Sequence, residues 1–91
     1  MRLEHNSLLE FNNGLVITYS DLKTTPKGSK YITLYFEQPN SKKTDFKNAQ
    51  INYPGGGFTN VTGFRKNDLG KLWEHVARIG GLALSFAEEN A

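Results

Sequence analysis

An α+β domain, with an antiparallel sheet followed by one C-terminal helix, is what the order of patterns along these 91 residues predicts. Three observations carry that prediction. Residues 9 to 64 are rich in β-branched and aromatic residues, broken by Gly, Pro and Asn turn signals. Inside that stretch, Tyr31 to Glu37 alternate in polarity with a period of two. Residues 65 to 89 change to apolar spacings of three and four, the period of a helix.

The elements follow in order. Asn12-Asn13-Gly14 is a turn signal, and Gly14 to Ser20 reads as the first strand, with Leu8 to Phe11 as a short lead-in that pairs with it. Lys23 to Lys30 is a polar turn punctuated by Pro26 and Gly28. Residues 31 to 37 form the second strand. Ile32, Leu34 and Phe36 share one face, and Tyr31, Thr33, Tyr35 and Glu37 share the other. Pro39 and Asn40 end it, and residues 41 to 45 make a second lysine-bearing turn. Residues 46 to 53 suit a third strand, Pro54 to Gly57 a flexible tip, and residues 58 to 64 a fourth strand, with Gly63 at a bulge or close approach. The predicted sheet is therefore four-stranded and antiparallel.

The helix begins near Lys66 to Asp68, where an acidic side chain complements the helix dipole. Leu69, Leu72, Trp73, Val76 and Ile79 form its apolar stripe. Gly80-Gly81 reads as a break or C-cap. Residues 80 to 91 then form a C-terminal extension whose Leu82, Leu84 and Phe86 are apolar. The domain core thus spans residues 9 to 79 of a single 1–91 unit. One helix covers one sheet face, and the face carrying Tyr31 and Tyr35 stays open.

Composition narrows the chemistry. A chain of this length buries roughly two-thirds of its unfolded surface, enough for one modest core. There is no cysteine, which excludes disulfides, thiolate metal sites and a cysteine nucleophile. No apolar run approaches the roughly 20 residues of a membrane helix. The first eleven residues are too acidic and too little apolar for a secretory signal. These features predict a cytoplasmic protein. His5 and His75 lack a neighbouring nucleophile and orienting acid, and the acids are dispersed. The prediction is a binding protein, not an enzyme, with no cofactor and no metal. Gly55-Gly56-Gly57 leads into a strand-like segment and lacks the lysine and hydroxyl of a phosphate loop.

The net charge is only +2, but residues 22 to 47 hold six lysines against Glu37 and Asp45. Such lysines keep a sheet edge soluble or follow a phosphate backbone. Exposed tyrosines stabilise a sheet as cross-strand partners or stack unpaired bases. The candidate nucleic-acid-binding residues are Lys23, Lys27, Lys30, Tyr31, Thr33, Tyr35, Lys42, Lys43, Lys47 and Tyr53. The helix stripe reads first as core. Its apolar excess also argues for a helix-to-helix homodimer through Leu69, Leu72, Trp73, Val76, Ile79, Leu82 and Phe86.

Three segments resemble one family. Val16-Ile17-Thr18-Tyr19-Ser20-Asp21-Leu22-Lys23, Tyr31 to Glu37, and Thr62-Gly63-Phe64 with Asp68 to Val76 are similar in order and spacing to the single-stranded-DNA-binding domain of the coactivator positive cofactor four and its bacterial and phage relatives. The resemblance covers residues 9 to 79. It implies four strands in a curved sheet and a helix, a homodimer, non-specific binding of single-stranded DNA in replication, recombination or transcription, and a nucleoid-associated protein, or one in the host cytoplasm if phage-encoded. Independently of the resemblance, RNA is the other candidate polymer. It aligns Lys23 with a basic turn residue and Tyr35 with an exposed-face arginine. Leu22 stands where the family has a stacking phenylalanine, and Tyr53 to Phe58 lack the family's lysine-rich turn. The competing reading is a protein-interaction module, such as a small inhibitor or adaptor, docking through its tyrosine-bearing sheet.

Overall fold

A computed structural model of the chain describes residues 6–12, 14–39 and 46–89, apart from the Phe46 side chain. The elements are β1 (Asn6–Glu10), β2 (Val16–Tyr19), β3 (Lys23–Thr24), β4 (Lys30–Pro39), β5 (Phe46–Tyr53), β6 (Phe58–Thr62) and α1 (Lys66–Glu89). The α+β class is as expected, but the described sheet has six strands rather than four. The lead-in segment is the strand β1, paired antiparallel with β2. The predicted polar turn contributes β3 before it reverses.

The strand order is β1-β2-β4-β5-β6, with β3 also on β4. The ten-residue β4 is the axis of the sheet. Its partners on one side are β2 at Leu34 to Glu37 and β3 at Lys30 and Tyr31. Between them the chain steps away at Ser20 to Leu22, and the Ser20 side chain maintains the bonding. The Thr33 amide donates to Ser20 Oγ at 2.9 Å, and the Ser20 amide donates to the Thr33 carbonyl at 2.9 Å.

Alternation along β4 decides the two faces. Ile32, Leu34 and Phe36 are fully buried, with Ile17 from β2 and Ile51 from β5 beside them. Burying each such side chain is worth about 1.5–3 kcal/mol. These residues face α1, which contributes Leu72, Val76, Gly80, Ala83 and Ala87.

The start of α1 is capped by local chemistry. The Arg65 amide donates to Asp68 Oδ2 at 2.9 Å, and the Arg65 carbonyl accepts from the Leu69 amide at 3.0 Å. This is one arm of a capping box, with Asp68 reaching back to the N-cap residue. The expected break at Gly80-Gly81 is absent: α1 continues unbroken to Glu89. A β-carbon at residue 80 would lie 2.5 Å from Tyr53 Cε2, so glycine there lets the Tyr53 ring rest on the helix backbone.

The continuous helix corrects the predicted dimer stripe. Leu72 and Val76 lie in the core of the single chain, and Leu69 and Ile79 are half-buried against it. Trp73, Leu82 and Phe86 stay exposed. Trp73 packs edge-on against Phe58 at 5.3 Å, and Phe86 lies 6.5 Å from Tyr19. Trp73 and Leu82 are nine residues apart, about half a revolution around a helix of 3.6 residues per turn. They therefore occupy opposite flanks of α1. No helix among the described residues is long and apolar enough to cross a membrane.

Candidate functional site

The face away from α1 is built from rows of paired residues. One row runs Ser7, Thr18, Tyr35, Gln50 and Thr59 across five strands. Another runs Glu10, Val16, Glu37, Asn48 and Thr62. Hydroxyls and amides dominate, and Tyr35 stands half-buried near the centre. Beside it, the Thr18 hydroxyl oxygen is buried with no hydrogen-bond partner among the described residues.

The chemistry concentrates at one end of this face. The register sets Lys23 opposite Tyr31 and Thr33 opposite Asn52. Lys23 Nζ donates to Thr33 Oγ1 at 3.1 Å, and that hydroxyl donates to Asn52 Oδ1 at 2.8 Å. The same ammonium lies 5.8 Å from the centre of the Tyr31 ring, a cation–π contact worth about 0.5–1 kcal/mol at an exposed site. A cation, an aromatic ring, a hydroxyl and an amide are thus held together before any ligand binds. Thr33 is only 2% exposed, so its part is to position Lys23 and Asn52.

Two turns flank this cluster. In the β3–β4 turn the Thr25 amide donates to the Ser29 carbonyl, the Gly28 amide to the Thr25 carbonyl, and the Ser29 amide to Thr25 Oγ1. In the β5–β6 turn the Gly56 amide donates to the Asn52 carbonyl at 2.9 Å. A β-carbon on Gly56 would sit 2.5 Å from that same carbonyl oxygen. The expected flexible tip is thus folded back onto β5. Between the turns opens a groove of about 540 Å³, with Lys30, Tyr31 and Asn52 in its lining. A smaller recess of about 300 Å³, lined by Tyr53 and Trp73, lies across the β5–β6 turn and shares Asn52, Gly55 and Gly56 with it.

The predicted residues separate into three groups. Lys23, Tyr31, Thr33 and Tyr35 belong to the open face, with Lys30 at the groove and exposed Lys27 in the adjoining turn. Lys42 and Lys43 lie outside the described residues. Lys47 and Tyr53 are corrected to the opposite side. Along β5 they share the parity of buried Ala49 and Ile51. Tyr53 packs on Gly80, and Lys47 Nζ lies 5.9 Å from the Phe64 ring centre.

Asn52 is the site residue that reading the sequence missed. Its parity with Asn48 and Gln50 was available as a signal; its link to Thr33 depends on strand register. Among the described residues no group of three or more His, Asp or Glu is arranged to hold a metal ion. His75 packs against Phe11, ring centres 4.9 Å apart. Comparison with protein-family models, with curated proteins and with solved structures gives no match.

Proposed function

We propose that this protein binds single-stranded nucleic acid, DNA foremost, on the sheet face that α1 leaves open. The observation that carries the reading is the Lys23–Thr33–Asn52 chain with Tyr31 beside it, one strand register away from Tyr35. Lysines neutralise phosphates and release counterions. Tyrosine rings stack bases, which only unpaired strands offer. The hydroxyl and amide rows supply polar contacts with little sequence preference. Such a protein holds unwound strands during replication, recombination or transcription, in line with the resemblance to the positive cofactor four domains.

The functional unit in this proposal is a homodimer. Of the predicted helix contacts, Leu82 at 51% and Phe86 at 37% exposure remain available on the flank of α1 away from Trp73. A small single core also favours association.

The test is a pair of variants on the open face. Tyr31→Ala with Tyr35→Ala should abolish most single-strand affinity while the circular dichroism spectrum stays that of the parent. Lys47→Gln, on the other side of the sheet, should leave affinity within about twofold, the scale of a distant surface change. If the tyrosine pair binds as the parent does, the site is not on this face.

A further inference from the structure

We infer that the groove between the β3–β4 and β5–β6 turns is a discrete subsite for one unpaired nucleotide, with its base against Tyr31 and its phosphate on Lys30. This deepens the single-strand reading above and rests on it. The open face elsewhere presents rows dominated by hydroxyls and amides, suited to contacts that slide along a strand. The groove differs in shape and in chemistry. At about 540 Å³ it falls within the range of pockets that enclose a small organic ligand.

Its walls are Pro26 and Ser29 on one side and Pro54 and Gly55 on the other, apolar or small surfaces that admit a flat ring. Tyr31 supplies the aromatic surface in its lining, and Lys30, exposed beside it, supplies a cation. Asn52 supplies the polar edge. Its Oδ1 is engaged by the Thr33 hydroxyl, while its Nδ2 makes no hydrogen bond among the described residues. That leaves a donor for an acceptor atom on a base edge, and all four bases carry such atoms. Both turns are closed by their own backbone hydrogen bonds, so the walls are in place without ligand. Preformed walls reduce the ordering cost of capture.

The occupant is either a residue of a longer strand or a free mononucleotide, and amide NMR shifts separate the two. Nucleoside 5′-monophosphates, the matching nucleosides, inorganic phosphate and a 12-nucleotide single strand are titrated separately. The subsite predicts that monophosphates shift the amides of residues 29 to 31, 52, 55 and 56. Lys30→Gln should weaken monophosphate binding about fivefold or more and leave nucleoside binding unchanged, because it removes only the phosphate contact. Tyr31→Leu should weaken both by a similar factor, because stacking is lost. Lys30 is exposed, so its variant keeps the fold and the comparison stands on it alone if Tyr31→Leu misfolds.

If the oligonucleotide binds and monophosphates move none of these amides, the subsite is wrong and the face reading survives. If monophosphates bind and the oligonucleotide does not, the subsite stands as a free-nucleotide site and the single-strand reading falls. Inorganic phosphate reproducing the same shifts, or silence from every ligand, overturns the subsite.

Discussion

Lys23 is held before any ligand arrives, and that is the residue-scale fact on which the proposed binding turns. Its ammonium is fixed by the Thr33 hydroxyl and lies over the Tyr31 ring. A long flexible side chain normally loses rotamer entropy on binding, and here part of that cost is met within the fold. Lys23→Gln should reduce the slope of log affinity against log salt by about one unit, the share of a single phosphate contact. Titrations at several salt concentrations check this. Tyr35→Ala should weaken single-strand binding by about 1–3 kcal/mol, the worth of one stacked base. An anisotropy titration of a labelled oligonucleotide measures it.

The parity of β4 made both tyrosines legible, because Ile32, Leu34 and Phe36 claim the opposite face so plainly. The same logic applied to residues 46 to 53 places Lys47 and Tyr53 with Ile51, on the covered side. Their residue types, a lysine and an aromatic, matched the expected chemistry and obscured the parity. The bonds from Thr33 to Lys23 and Asn52 were not legible at all. They follow from pairings across 10 and 19 residues, which no local pattern encodes.

At the scale of elements, α1 shows how a helix can be mistaken for two pieces. Two glycines and a Leu-x-Leu-x-Phe alternation resemble a stop and a tail. In the folded chain the buried stripe passes through the small residues Gly80, Ala83 and Ala87, and Leu82 and Phe86 turn outward. Small residues on the buried stripe leave room for Tyr53, whose ring rests on Gly80.

Two substitutions separate propensity from packing in this helix. Gly70 is exposed with open space where a β-carbon would stand, so Gly70→Ala should stabilise by about 0.5–1 kcal/mol. Gly80→Ala gains the same propensity but drives a methyl group into Tyr53, and overpacking of this kind costs about 1–3 kcal/mol. The urea midpoint should therefore rise for Gly70→Ala and fall for Gly80→Ala. At the sheet, β3 escaped recognition because two residues are too few to alternate. It forms because Ser20 bridges the step in the chain and returns Lys23 to β4.

For the whole molecule, the distribution of charge matters more than its sum. Among the described residues, Lys23 on the open face and Lys27 and Lys30 in and beside the β3–β4 turn gather at the groove end, while Glu10 and Glu37 flank Val16 toward the other end of the face. A phosphate chain is attracted to the first end, and Glu37→Gln should raise affinity by relieving repulsion, most visibly at low salt where screening is weak. The proposed homodimer has its own check. The parent should sediment as a dimer at equilibrium, and Leu82→Gln with Phe86→Gln as a folded monomer; a monomeric parent ends that part of the account.

The central claim, a sheet face that takes unpaired strands, meets its most direct test in one titration. Labelled single- and double-stranded oligonucleotides of the same length are followed by fluorescence anisotropy at two salt concentrations. Two stacked bases at about 1–3 kcal/mol each put the expected preference for the single strand at roughly thirtyfold or more, with affinity falling as salt rises. No single-strand binding at low salt, or equal affinity for duplex and single strand, would contradict it.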